Sequence, residues 1–207
     1  FRRVLFRSVC TARGIVLIFD EVFLGFRLAA GGAQEYFGVR ADMVTYGKTL
    51  GGGLPVGVLC GRAAWMKRFR EDRPADICFA RGTFNTHPYV MGSMSVFLDE
   101  LARPEVRAAI AAQDEVQNGR RERLNAALAA QGLPLRAANL GSVWTFCFDQ
   151  PSRYNWLLAY FLREQGVALS WVGSGRMIFA LDFSEADFDL LQARILAAAR
   201  AMHEGQW

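Results

Sequence analysis

The sequence predicts an α/β fold: part of a domain built on a mostly parallel sheet, followed by a small α+β domain. Three observations point there. An apolar, β-branched run ends abruptly in Asp20. Candidate strands and helices alternate ahead of one long Ala/Arg/Glu-rich stretch over residues 105–130. A shorter strand–helix set follows that stretch, and such a switch in pattern marks a second layer system.

Taken in order, residues 14–19 are continuously apolar and β-branched, which predicts a strand buried on both faces. Residues 23–38 are glycine-rich and irregular, with one helical turn near residues 33–36. Residues 42–46 predict a second strand, placing Lys48 at its C-terminal end. Residues 54–60 predict a third strand, 62–69 a short amphipathic helix, and 70–80 a polar loop. Pro88 opens a helix reaching Leu101, since the first turn has no intrahelical use for the missing N–H. Apolar residues at helical spacing make 105–130 one long helix, stopped by Gly132-Leu133-Pro134. Residues 143–148 alternate and are aromatic, as a strand requires. Residues 154–165 predict a helix with Gly166 as its C-terminal stop. Two strands, 168–172 and 176–181, are joined by Gly173-Ser174-Gly175. Ser184 with Asp187 forms a helix N-cap signature for a last helix over 185–203.

The chain has 207 residues and a formal charge of +4, with acids and bases interleaved. No basic stripe interleaves with aromatics, so nucleic acid is not an expected partner. Arg2-Arg3, Arg120-Arg121 and Arg123 are expected on solvated faces, and Trp144, Trp156 and Trp171 in the core of the second domain. The cysteines Cys10, Cys60, Cys78 and Cys147 lack paired spacing, and the histidines are His87 and His203 alone. No metal site is expected, and scattered free cysteines suit a reducing cytoplasm. No apolar stretch is long enough to span a membrane. The segment Arg3-Val4-Leu5-Phe6-Arg7-Ser8 resembles one reading frame of a sequencing adapter, so residues 1–8 are read as a non-native leader.

Of the 24 basic residues only Lys48 and Lys67 are lysine. An arginine stays protonated, whereas a lysine can lose its proton and attack a carbonyl. Lys48 sits in Gly47-Lys48-Thr49-Leu50-Gly51-Gly52-Gly53, where glycines permit close backbone approach to a ligand. Ligands of open α/β sheets lie beyond the C-terminal strand ends, where both Asp20 and Lys48 fall. A carboxylate and a primary amine facing one pocket fit pyridoxal 5'-phosphate (PLP) chemistry. The amine joins the cofactor aldehyde as a Schiff base, and the carboxylate keeps the ring nitrogen protonated.

The same residues resemble the class III aminotransferases, a fold-type I family of PLP enzymes. The resemblance runs through Leu17-Ile18-Phe19-Asp20-Glu21-Val22, Gly25-Phe26-Arg27, Gly31-Gly32-Ala33-Gln34, residues 42–45, Gly47-Lys48 and Gly51-Gly52-Gly53-Leu54-Pro55-Val56-Gly57. Gly82-Thr83-Phe84 and Pro88 complete it. Within the family the chain is most similar to the glutamate-1-semialdehyde aminomutase branch. The resemblance implies a C-terminal half only: residues 9–104 as the end of the PLP-binding large domain, and 105–207 as a linking helix and small domain. It further implies Lys48 as the Schiff-base lysine, Asp20 on the pyridine nitrogen, and Val22 on the ring face. Thr83 would reach the phosphate of a neighbouring subunit's cofactor, which makes a homodimer with shared sites. Transamination between an amino donor and an aldehyde or keto acceptor is the implied reaction, and an aminomutase-type shift within one molecule is the alternative. Phe23 stands where many members carry a polar residue near the cofactor's phenolic oxygen. The family's glycine-rich phosphate cup and stacked aromatic belong to a half that this chain does not include.

Two other classes fit parts of the sequence. Gly47-Lys48-Thr49 ends like a nucleotide-binding phosphate loop, but that loop needs glycine where Asp42 stands. A dimerisation remnant without chemistry would keep the fold alone. His87 reads as a helix-start residue, and Arg27 and Arg176 read as ion-pair residues with a substrate carboxylate as their alternative.

Overall fold

The computed structural model describes residues 2–68, 71–75, 77, 82–169 and 176–205. The chain divides into two compact units, residues 1–110 and 111–207.

The first unit opens with helix α1, Arg2–Ala12, which the sequence did not predict. Strand β1, Ile18–Asp20, pairs in parallel with β2, Met43–Gly47, matching Ile18 to Met43 and Asp20 to Thr45. Strand β3, Gly57–Gly61, returns antiparallel to β2, so the portion of the sheet present here is mixed, in the order β1-β2-β3. Helix α2, Gly32–Phe37, lies between β1 and β2 in sequence and ends on Gly38 in the left-handed conformation. A 3-10 turn, Lys48–Gly51, links β2 to the glycine run. Helix α3, Pro88–Ala102, packs on that turn, and its Ser93 hydroxyl donates to the Gly51 carbonyl at 2.8 Å.

Two expectations fail in this unit. The strand predicted buried on both faces is only three residues long, and its Ile18 is 54% exposed. Among the described residues β1 has a strand neighbour on one side only, β2. The amphipathic helix predicted from residue 62 is a single turn, with Met66 N–H donating to the Arg62 carbonyl at 3.2 Å.

Asp42 ties the start of this sheet together. Its buried carboxylate accepts from the Leu17 N–H at 2.9 Å and from Arg7 at 2.8 Å, and Arg62 lies 3.4 Å away. The Leu17 hydrogen bond first, then the Arg7 one, hold its carboxyl below the usual range.

Helix α4, Pro104–Ala130, begins in the first unit and runs through the second. The second unit adds β4, Leu135–Leu140, β5, Val143–Phe148, and β6, Met177–Ile178, in one antiparallel sheet. A 3-10 turn, Asn155–Leu157, leads into α5, Leu158–Glu164, and α6, Glu185–Glu204, closes the fold. The predicted capping box is present: Asp187 N–H donates to the Ser184 hydroxyl at 3.1 Å, and the Ser184 N–H donates back to the Asp187 carboxylate. Leu124, Leu128, Trp144, Leu162, Phe188 and Ile195 fill one continuous core. The Trp144 indole N–H is satisfied by Gln117 at 3.0 Å.

Two side chains are placed differently from expectation. Arg120 is buried rather than solvated: it donates to the Phe183 carbonyl and to Glu185, both at 2.7 Å, and so anchors the entry to α6. Trp156 is half exposed, because it lies in the 3-10 turn, edge-on to the equally exposed Tyr160. Cys78, Trp171 and the Gly173-Ser174-Gly175 turn lie outside the described residues.

Candidate active site

Asp20 and Lys48 reach the same end of the first sheet because their strands are parallel neighbours. Asp20 is the last residue of β1, paired with Thr45, and Lys48 follows the last residue of β2. The Thr45 hydroxyl donates to the Asp20 carboxylate at 3.3 Å, and the Val22 N–H donates to it at 3.1 Å. The carboxylate is exposed, with acceptor capacity left for a further donor. It also contributes to a cavity of about 350 Å³ beside β1, shared with Phe6, Leu17, Leu24 and Phe37. Lys48 does not line that cavity.

The residues after Asp20 turn sharply, with the Gly25 N–H closing on the Glu21 carbonyl at 2.8 Å. A side chain on Gly25 would come within 2.8 Å of the Tyr46 ring, so only glycine fits. The turn brings Val22 against Gly47, where an added Cβ would lie 3.2 Å from a Val22 methyl. It also sets the Phe23 ring 5.7 Å from the Lys48 ammonium. Asp20, Val22, Phe23 and Lys48 therefore form one neighbourhood. Thr83 lies in a different segment, the exposed turn over residues 83–86 that leads into α3.

Backbone strain concentrates in these segments. Among the described residues, the non-glycine positions with positive φ are Phe26 at 63°, Lys48 at 44° and Thr86 at 55°. Such conformations cost roughly 1–3 kcal/mol each and persist where surroundings enforce them. Phe26 is held by rings on two sides, Tyr46 at 5.1 Å and Phe97 at 5.4 Å.

Glu21 has no role in the PLP reading of the sequence, yet it braces the turn after β1. Its carboxylate is buried, with 2% exposure, and accepts from the Ala33 N–H at 2.6 Å and the Gln34 N–H at 3.1 Å. It thus occupies the start of α2, where backbone N–H groups point outward unpaired. Burial first, and then the charge of Glu21, push the Tyr46 phenol up. The acid pair Asp20-Glu21 at a strand end was the available signal: alternation sends one carboxylate toward each side.

The residues fit a PLP molecule in their chemistry. An acceptor-only carboxylate at one strand end, an amine at the next and an apolar Val22 between them match a cationic ring nitrogen, an aldehyde and a ring face. Two buried polar atoms lack a partner in the expected segments, Thr49 Oγ1 beside the lysine and His87 Nδ1 in the turn after Thr83. Among the described residues no cluster could hold a metal ion. None of their helices is long and apolar enough to cross a membrane.

The fold is that of fold-type I transaminases. The family profile described as "Aminotransferase class-III" matches residues 3–198. A glutamate-1-semialdehyde 2,1-aminomutase of Nitratidesulfovibrio vulgaris is 35% identical over 213 residues, covering 95% of this chain and 46% of that protein. Among solved structures, a β-phenylalanine aminotransferase from Variovorax paradoxus aligns with a TM-score of 0.78 at 29% identity, over 96% of this chain and 47% of that one. A transaminase with PLP bound aligns at 0.80 and 26% identity, over 97% and 48%. The chain belongs to the class III aminotransferase family. It spans about half the length of the relatives it matches, and this membership displaces the nucleotide-binding alternative.

Proposed function

We propose that this chain supplies the lysine-bearing part of a PLP-dependent enzyme that moves an amino group between an amino donor and an aldehyde or keto acceptor. One observation carries the reading: adjacent parallel strands end in Asp20 on one side and Lys48 on the other. When bound, PLP supplies an electrophilic aldehyde and a ring that accepts the electron pair left as a substrate Cα–H bond breaks. Lys48 Nζ would hold the cofactor through its aldehyde, and as a free amine it would carry the proton from the substrate carbon, a role worth about 10²–10⁴-fold in rate. Asp20 would accept the hydrogen bond of the protonated ring nitrogen. Thr45 and the Val22 N–H orient that carboxylate. Val22 would pack on the ring face. Thr83 would hold the phosphate of the cofactor in a partner subunit, so the working unit is a homodimer; the scattered free cysteines suit a cytoplasmic location. Residues 9–104 are then the end of the cofactor-binding domain, and 105–207 a linking helix and small domain.

A second reading is an aminomutase-type transfer within one molecule, favoured by the 35% identity to the N. vulgaris protein. Turnover of one substrate carrying both amine and carbonyl, with no second substrate added, separates the two.

The site assignment is tested by saturating the chain with PLP, reducing with borohydride and mapping the pyridoxyl tag by peptide mass spectrometry. The tag is expected on Lys48, to vanish in Lys48→Ala and to weaken in Asp20→Asn. Tagging of Lys67 alone, or of both lysines equally, overturns the assignment.

A further inference from the structure

Phe23 is the departure from the family pattern that the proposed chemistry does not use, and its surroundings give it a task. Its half-buried ring sits in the turn after Asp20 and faces two cations. The Lys48 ammonium lies 5.7 Å from the ring centroid and the Arg27 guanidinium carbon 5.6 Å. Both are within the reach at which a ring quadrupole attracts a cation. Arg27 also fixes the ring's backbone, its Nε donating to the Phe23 carbonyl at 2.9 Å. Lys67 is held differently, by the Glu71 carboxylate at 2.6 Å.

We propose that Phe23 is a positioning residue whose ring is the resting seat of the Lys48 amine whenever that amine is not covalently engaged. The proposal rests on Lys48 being the reactive lysine. The left-handed backbone at Lys48 fixes where its side chain departs, but the flexible four-carbon stem leaves the exposed amine free to wander. A carboxylate seat would bind the ammonium as an ion pair and compete with the aldehyde. An aromatic face supplies no countercharge and only a weak hydrogen-bond acceptor, so it holds the amine nearby and releases it readily. The attraction of an exposed pair favours the seated over the unseated amine by roughly two- to five-fold.

The seat is read directly by NMR of the chain carrying ¹³C at the lysine ε position. With only Lys48 and Lys67 present, the spectrum holds two ε-methylene signals, assigned by Lys67→Arg. The Lys48 signal is expected upfield of the Lys67 signal, because it lies over a ring face. That offset is lost in Phe23→Leu and kept in Phe23→Tyr. Absence of the offset in the parent chain overturns the proposal without any variant, and so does an offset that survives in Phe23→Leu. Borohydride tagging on the same samples separates the two ideas. A seated Lys48 that never takes the pyridoxyl group removes the functional reading and leaves the seat standing. A tagged Lys48 with no offset does the reverse.

Discussion

The two units of the chain contrast in how they use apolar residues. Residues 111–207 gather many of theirs in one core, with Leu124, Leu128, Leu162, Phe188 and Ile195 fully enclosed, while Trp156, Tyr160 and Leu190 stay about half exposed. Residues 1–110 leave large ones in solvent: Phe84 is 78% exposed, Tyr89 77% and Val96 63%. The strained non-glycine residues Phe26, Lys48 and Thr86 are all in this first unit. One region spends its sequence on packing. The other holds its backbone away from the energy minimum at three non-glycine positions, as functional regions do.

The contrast would break if side chains of equal hydrophobicity mattered equally in both units. Phe188→Ala should destabilise the chain by about 3–5 kcal/mol, through lost burial and the cavity left behind. Val96→Ala should stay within roughly 0.5 kcal/mol, as exposed substitutions do. Urea unfolding of the two variants measures both. Removing Glu21 is the sharpest probe of the first unit. Glu21→Ala should cost about 1.5–3 kcal/mol for hydrogen bonds to a buried charge. Hydrogen exchange should accelerate at the Ala33 and Gln34 amides while the second unit stays protected. Ser184→Ala should cost about 1 kcal/mol by deleting the N-cap of α6, read as a shift in the urea midpoint.

The smallest effect is on pH dependence, and each unit carries one carboxylate for it. Asp42 is held low mainly by the Leu17 N–H and Arg7, and Glu185 mainly by Arg120. A depressed folded value means that the stabilisation is present above the unfolded pKa and lost as pH falls through the folded one. Both units should therefore weaken on acidification below the ordinary carboxylate range. Asp42→Asn should flatten the acid limb for the first unit only, and Glu185→Gln for the second only, followed by pH-dependent hydrogen exchange.

What the sequence made legible was local. Ser184 and Asp187 announce α6 because a capping box is decided within four residues. Pro88 announces α3 for a similar reason. Strand β4 escaped notice because Leu135-Arg136-Ala137-Ala138-Asn139-Leu140 has little β propensity; its pairing with β5 and the bonds from Asn125 to Ala137 decide it. The exposure of Ile18 was hidden because the apolar run specifies a buried strand, while burial depends on what flanks it. Asp20 and Lys48 were readable as strand-end residues, and Val22 only through the family resemblance. The contacts of Glu21 and Phe23 were not readable, because they are made with segments 12 and 25 residues away in sequence, at Ala33 and Lys48.

The left-handed backbone of Lys48 carries one more consequence. Glycine occupies that region without penalty, so Lys48→Gly relaxes the main chain even as it deletes the amine, offset in part by the looser unfolded state. A thermal scan of that variant should show a protein that melts no earlier, and even later, although the amine is gone. Tolerance in a melting experiment is therefore no guide to dispensability at this position.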